Sequence, residues 1–209
     1  MADARREGRL RGEELPENER RWLETIHRES KRLNSIVEDL LDVSHIEAGR
    51  LSLNLEPVGV RALAETIVEQ LRTSHPSHDL RVEIPGDIPD ILGDQNKVHQ
   101  VLFNLLDNAV RYSPEGGPVV VRASRSADNR SVVVAVSDRG MGIPEEELPK
   151  LFTRFHRVER RGKAKMVRGT GLGLYIARSL VELMGGQVSV QSKVNEGSAF
   201  SFSLPAVTG

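Results

Sequence analysis

Three stretches of the chain carry residue types that do chemistry rather than pack. The first is Gln100-Val-Leu-Phe-Asn104-Leu-Leu-Asp-Asn108-Ala-Val-Arg111-Tyr112-Ser113. Gln100, Asn104, Asn108 and Arg111 follow one another by four, four and three, which stacks them on one helix face while Val101, Leu102, Leu105 and Leu106 cover the other. A face of neutral amides holds a hard cation through its oxygens without neutralising a polyphosphate that accompanies it. A solvated helix face with ordinary asparagines reads the same way. The second stretch is Asp138-Arg-Gly140-Met-Gly142-Ile143-Pro144. A carboxylate at the end of a strand is placed to accept a hydrogen bond from an amine at the bottom of a pocket, and the glycines let backbone and ligand approach closely. A tight turn explains the same residues. The third is Arg168-Gly169-Thr170-Gly171-Leu172-Gly173-Leu174, where glycine-rich backbone feeding a helix start offers free N–H groups and the positive end of the helix dipole, both suited to phosphate. Ahead of it stand Arg154, Arg157, Arg160, Arg161, Lys163 and Lys165, with Gly162 among them and Glu159 as the only acid. That run is too polar to pack and reads as a mobile basic flap over a polyphosphate. A solvated loop accounts for its polarity but not for its one-sided charge.

The elements that must position these residues are legible from periodicity. From Glu19 to Glu47, apolar residues recur at three- and four-residue steps, and Ile26, Leu33 and Leu40 are seven apart. This predicts an amphipathic helix roughly 40 Å long with a narrow seam for packing against other long helices; Gly49 stops it. Residues 1–18 are polar and broken by Gly8, Gly12 and Pro16, a lead-in that resembles the remnant of a helix and turn. Leu51, Leu53 and Leu55 alternate as a strand, Val60 to Arg72 reads as a helix, Leu80, Val82 and Ile84 alternate again, and Lys97 to Arg111 forms a second helix. Strands follow at Val119 to Ala123 and Val132 to Val136, across a turn at Ser126 to Asn129. A helix from Leu172 to Met184 ends at Gly185-Gly186, and Gln187 to Lys193 with Ala199 to Leu204 closes as a hairpin around Asn195-Glu-Gly197. Hairpin-paired strands with helices between other strands predict an α+β fold, a two-layer α/β sandwich whose mixed sheet is covered by helices on one face.

Composition narrows the function classes. Lys and Arg number 29 against 30 Asp and Glu, a formal net charge of -1, so no nucleic-acid footprint is expected and any functional charge is local. With no cysteine among 209 residues, disulfides, thiolate metal sites and a cysteine nucleophile are excluded, and the cytoplasm is the default compartment. No apolar run approaches the roughly 20 residues that cross a bilayer; a membrane-anchored parent would carry that part elsewhere. There is no Gly-x-x-x-x-Gly-Lys-Ser/Thr loop and no His-Arg-Asp or Asp-Phe-Gly triplet, which sets aside P-loop enzymes and Ser/Thr/Tyr kinases. A dinucleotide site wants its glycines right after a strand, whereas Gly169 follows the basic run.

The ordered set of asparagine box, Asp138-x-Gly140-x-Gly142, Phe152-Thr-Arg-Phe155, Gly169-x-Gly171-x-Gly173 and Gly197-Ser198-Ala-Phe200-Ser-Phe202 resembles the catalytic ATP-binding domain of two-component sensor histidine kinases, within the wider family shared with gyrase, Hsp90 and MutL. The stretch from Leu23 to Leu33 through Asp39 to Gly49 is similar to the second helix of that family's dimerisation domain. The resemblance implies a Bergerat-type fold, and with it a lead-in at 1–18, a dimerisation-type helix at 19–49 and an ATP-binding domain at 50–209. The histidine-kinase branch is favoured because gyrase-like branches place a general-base Glu at the position of Asn104, so transfer goes to a side chain rather than to water.

Carried over position by position, the resemblance implies that Asn108 is the Mg²⁺ ligand with Asn104 nearby, that Asp138 bonds the adenine amine, and that Gly140, Gly142 and Ile143 shape the base pocket. It implies that Arg111 stands near the phosphates and Tyr112 beside the base. Arg157 would neutralise the γ-phosphate, and Gly169, Thr170, Gly171, Leu172, Gly173 and Leu174 would form the loop passing over the phosphates, with Ser198 completing the site. Asn104, Asn108 and Arg157 are the catalytic candidates. Phosphoryl transfer asks for positioning and charge more than covalent help, so this set is sufficient. The implied partners are a response regulator, a histidine-bearing dimerisation helix and a second copy of the chain.

One family feature is missing. The phosphoacceptor box, His-Glu or His-Asp followed by a Thr/Asn-Pro pair, occurs nowhere, and His27 and His45 are followed by Arg-Glu-Ser and Ile-Glu-Ala. The expectation is therefore a kinase unit whose acceptor histidine is not in these residues; a nucleotide-binding or dimerisation module without catalytic output is the competing class.

Overall fold

The structure, a computed structural model, describes residues 16–158 and 169–207, apart from the side chains of Arg28 and Arg32. Residues 1–15 of the expected lead-in, and Glu159, Arg160, Arg161, Gly162, Lys163, Lys165 and Arg168 of the basic run, lie outside the described residues. The chain divides into two compact units, one ending at Leu41 and one beginning at Asp42, so the boundary falls inside the first helix.

That helix, α1, spans Glu17–Glu47. In the first unit its apolar residues Trp22, Leu23, Ile26, Leu33, Val37 and Leu40 are exposed, while exposed pairs Arg20–Glu24 and Arg21–Glu17 at i,i+4 support the helix locally.

The second unit is built on a five-stranded sheet. Its strands are β2 (His78–Glu83), β4 (Gly117–Arg125), β5 (Ser131–Asp138), β6 (Gln187–Lys193) and β7 (Gly197–Pro205), in the order β2-β4-β5-β7-β6. The β2–β4 pair is parallel and the other pairs are antiparallel, so the sheet is mixed, as expected. Helices α2 (Val60–Ser74), α3 (Gln95–Arg111) and α4 (Gly173–Leu183) cover one face. Alternation decides which: Val119, Val121 and Ala123 of β4, Val132, Val134 and Val136 of β5, and Phe200, Phe202 and Leu204 of β7 are buried in one core with Ile67, Leu102, Leu105 and Ile176 of the helices. Fully burying side chains of this size contributes about 1.5–3 kcal/mol each. The opposite face presents Arg122, Val133, Ala135, Ser189, Ser201 and Ser203, none of them buried.

Three elements depart from the sequence expectation. Leu51 to Leu55 is not a strand; Leu51 and Leu53 pack on the core without ladder partners, and Asn54 N donates to Asp94 Oδ2 at 3.0 Å. The alternation reports a segment whose Leu51 and Leu53 pack on the core while Leu55 is exposed, rather than a sheet edge. A small antiparallel pair, β1 (Glu56–Val58) with β3 (Ile91–Gly93), was not foreseen; three residues are too few to show a period. Helix α3 also begins two residues earlier than the apolar pattern does. The reason is its cap: Asp94 Oδ1 accepts from Asn96 N at 3.0 Å and Lys97 N at 3.1 Å, satisfying two of the first-turn N–H groups.

Candidate functional site

Asp138 is the last residue of β5 and continues the inward set Val132, Val134, Val136, paired with Val119 of β4. Strand period alone therefore delivers a carboxylate to the edge of the helix layer, where it is 9% exposed. Its Oδ1 accepts from Gly140 N at 2.8 Å and from Ser198 N at 3.3 Å, and among the described residues its Oδ2 has no hydrogen-bond partner. Burial pushes the Asp138 carboxyl above the ordinary carboxylate range, against the two backbone N–H bonds that stabilise the charge. The result is a desolvated acceptor with one oxygen held and one available.

The loop after Asp138 is pressed between two neighbours. A Cβ on Gly140 would stand 2.2 Å from Tyr112 O and 2.6 Å from Ser113 Oγ, and Met141 N donates to Tyr112 O at 3.1 Å. Gly142 has φ +61° and a Cβ there would stand 1.9 Å from Lys193 O, at the end of β6, while Asn195 N donates to Met141 O at 2.9 Å. The C-terminal end of α3 and the β6–β7 hairpin thus grip the Asp138 loop from both sides. Ile143 is half-buried against the core, and Tyr112 is partly exposed at the rim. Ser192 Oγ and Ser198 Oγ lie 2.8 Å apart. Ser113, for which the sequence offered no role, is buried with an Oγ that has no partner among the described residues; a serine two residues past a helix reads only as a turn.

The polar face of α3 does not act as one unit. Gln100 is committed to Asp42, its Nε2 donating to Asp42 Oδ2 at 2.6 Å. Asn104 donates from Nδ2 to Gly173 O at 3.3 Å, and a Cβ on Gly173 would stand 3.3 Å from Asn104 Oδ1. Asn108, half-buried, has no side-chain hydrogen bond among the described residues, which makes it the amide of this face available to a cation. Arg111 Nη2 pairs with Asp107 Oδ2 at 2.6 Å, and its Nη1 is 3.6 Å from the position of a Gly169 Cβ. Burial raises the Asp107 carboxyl more than Arg111 and His75 lower it.

The glycine loop closes on the same region. Gly171, with φ +74°, has Phe155 and His156 backbone within 2.9 Å of any Cβ, and Phe155 N donates to Gly171 O at 3.0 Å. Thr170 Oγ1 accepts from Leu172 N at 3.2 Å, Leu172 is buried and Leu174 half-buried. No side chain caps the start of α4, so its first N–H groups remain suited to anions. Of the basic residues that are described, Arg157 is exposed. Arg154 is not part of a loose charge run: it pairs with Glu47 and lies 5.6 Å from the Tyr175 ring centroid. His156 Nε2 lies 2.8 Å from Glu147 Oε2, close enough for an ion pair when the ring is protonated but without hydrogen-bond geometry.

Three constellations that are tens of residues apart in sequence therefore converge on the C-terminal half of α3. The loop after Asp138 lies against Tyr112 and Ser113, Gly169 against Arg111 and Gly173 against Asn104, on a two-layer fold. This defines a nucleotide-site α/β domain of the ATPase kind. Sequence comparison agrees: the family described as histidine kinase-, DNA gyrase B-, and HSP90-like ATPase matches residues 93–208, more than half of the chain, and the chain belongs to it. The His Kinase A (phospho-acceptor) domain matches residues 4–49, a finding that sets a phospho-acceptor domain against the expectation that the acceptor is absent; the histidines inside that span are His27 and His45. The circadian input-output histidine kinase CikA of Synechococcus elongatus is 34% identical over 93% of this chain and 26% of its own length. The signal transduction histidine-protein kinase BarA of Escherichia coli is 37% identical over 91% of this chain and 21% of its own. The chain spans about a quarter of the length of these curated relatives. Among solved structures, full-length ShkA in complex with AMPPNP matches with a TM-score of 0.78 at 27% identity, over 94% of this chain and 41% of that one. The mycobacterial sensor histidine kinase MprB matches with 0.63 at 28%, over 75% and 100%.

Proposed function

We propose that the unit from Asp42 onward binds Mg²⁺–ATP and hands the γ-phosphate to a histidine side chain, as the catalytic part of a two-component signalling kinase. The observation that carries the reading is Asp138, whose carboxylate is buried at the end of β5 with one oxygen bonded to backbone and the other open to an amine. Asn108 is proposed as the metal ligand, Asn104 and Arg111 as groups beside the phosphates, and Arg157 as the charge on the γ-phosphate. Asn108 would hold Mg²⁺, which would supply positive charge to offset that of the phosphates. This chain's own residues orient the base, hold the triphosphate along α3 and α4, and leave the terminal phosphate to its acceptor. Localisation in the cytoplasm, self-association through α1 and a response regulator as the downstream partner belong to the same proposal.

The acceptor is proposed to be a histidine other than His27 and His45, because neither has the neighbouring acid and proline of the acceptor box. The second reading, favoured by the match of residues 4–49 to a phospho-acceptor domain, places it at His27 or His45, both exposed on α1. The test is incubation with γ-labelled ATP and Mg²⁺, alone and with a fragment carrying a His-Glu-x-x-Thr-Pro helix. Label on the added fragment only is the expected result. Stoichiometric acid-labile phosphate on the chain alone, lost in His27→Ala or His45→Ala, would replace it with the second reading. No label in either setting, with ATP bound, would leave a nucleotide-binding module without output.

A further inference from the structure

The last six residues of α1 belong to the second unit. Val43 is buried in its core and Ile46 packs against it. Asp42 and Glu47 flank these two on the same helix face, in the spacing i, i+1, i+4, i+5. The two acids reach different elements. Asp42 accepts from Lys97 Nζ at 3.1 Å and from Gln100 Nε2 at 2.6 Å, and Lys97 Nζ is also 3.3 Å from Gln100 Oε1. The Asp42 and Lys97 side chains are only 15% and 22% exposed, and Gln100 stands one turn before Asn104 and two before Asn108. Glu47 pairs with Arg154. The Arg154 guanidinium also sits over Tyr175, in the first turn of α4, next to the Phe155 backbone that is bonded to Gly171 and three residues ahead of Arg157. One short helix face thus grips both elements that carry the phosphate-side groups. Among the described residues, no bond ties this face to the Asp138 loop.

We propose that Asp42 and Glu47 are positioning residues for the triphosphate. Glu47 acts through Arg154 on the backbone that presents Arg157, and Asp42 acts through Lys97 and Gln100 on the α3 face that presents Asn104 and Asn108. The inference rests on the nucleotide reading above and adds to it that the end of α1 is a working part of the catalytic unit. An ion pair half open to solvent, such as Glu47–Arg154, adds little to stability, so its consequence lies in the placement of the chain that follows. The base end of the site is indifferent to it.

The experiment titrates the full chain with adenosine and, separately, with ATP plus Mg²⁺, for wild type, E47Q, D42N, R154M, K97M, E47Q/R154M and D42N/K97M, with a thermal melt of each. E47Q and D42N are expected to keep the wild-type affinity for adenosine and to lose about fivefold in affinity for ATP, the size of effect that coupled neighbours show. E47Q/R154M is expected to match R154M, because Glu47 acts through that residue alone, D42N/K97M is expected to fall below K97M by the part that Asp42 carries through Gln100, and the charge-swapped E47R/R154E is expected to regain most of the loss. Unchanged ATP affinity in both E47Q and D42N, or full additivity of E47Q with R154M, would overturn the proposal. A lowered melting temperature with no change in ATP affinity would reduce the face to a structural brace and overturn it equally. If D42N melts too low to titrate, the Glu47 arm decides. A wild-type chain that binds neither adenosine nor ATP would remove the nucleotide reading itself, and the proposal with it.

Discussion

Asp138 and Asn108 are the two residues on which the chemistry turns, and each makes a separate prediction. In Asp138→Asn the oxygen that accepts from Gly140 N and Ser198 N is retained, while the other position becomes an amide that presents a donor to a ligand amine. Binding of adenosine and of ATP is expected to weaken by about 1–3 kcal/mol, the cost of a mismatched buried polar group; equal calorimetric affinity in variant and wild type would remove the adenine assignment. The pH dependence follows from the same burial. Asp138 has its carboxyl raised by desolvation, so as pH falls it takes up a proton earlier than an ordinary aspartate. Adenosine affinity is expected to decline through that raised range, and the decline is expected to vanish in Asp138→Asn. For stability the sign is opposite: the protonated form is favoured in the folded chain, an advantage fully present below the unfolded pKa and lost as pH rises through the folded one. Asp138→Asn is therefore expected to melt no lower than wild type at neutral pH. Asn108→Ala is expected to reduce the increment in ATP affinity that Mg²⁺ adds, leaving metal-free binding nearly unchanged. An equal Mg²⁺ increment in both proteins would show that Asn108 is not a ligand.

At the scale of elements, the site depends on close approach between backbones. The loop after β5 fits only because Gly142 is left-handed and lies against Lys193 O of β6. Gly142→Ala adds a left-handed strain of about 1–2 kcal/mol and a contact the hairpin must move to avoid. The expected outcome is a lower melting temperature together with weaker adenosine binding, because the Met141–Asn195 bond that fixes the loop shifts with it. Unaltered adenosine affinity would mean that hairpin and base pocket are independent. Helix α4 shows the same economy at its far end, where Gly185 N donates to Glu182 O at 3.0 Å and Gly186 N to Val181 O at 2.9 Å, so that β6 can start at once.

At the scale of the molecule, the apolar seam of α1 stands open among the described residues. Ile26, Leu33, Val37 and Leu40 are exposed on a helix whose opposite positions are charged, an arrangement that buries itself in a partner helix. The chain is expected to sediment as a dimer or higher bundle, and Leu33→Glu to sediment as a monomer with adenosine affinity intact. A wild-type chain that is monomeric at the concentrations used for titration would show that the seam needs a partner other than itself.

Much of this was legible in residue order because it is local. Periods of two and of three to four located the long strands and helices, and the strand from Val132 to Val136 marked Asp138 as a carboxylate at a strand end. The asparagine spacing put Asn104 and Asn108 on one face of α3 for the same reason. What residue order could not contain is which of those polar groups are already committed. Gln100 looked like a site residue and is held by Asp42, Arg154 looked like part of a loose basic run and is held by Glu47, and Asn104 rests on Gly173 while Asn108 does not. Leu51 to Leu55 carried a strand's alternation without a strand's partner. Each of these depends on a group 40 to 110 residues away arriving within hydrogen-bond or van der Waals reach, and pairing of that kind is a property of the packed chain, since the free energy of a polar contact is set by its partner and its burial and neither is encoded in spacing along the backbone.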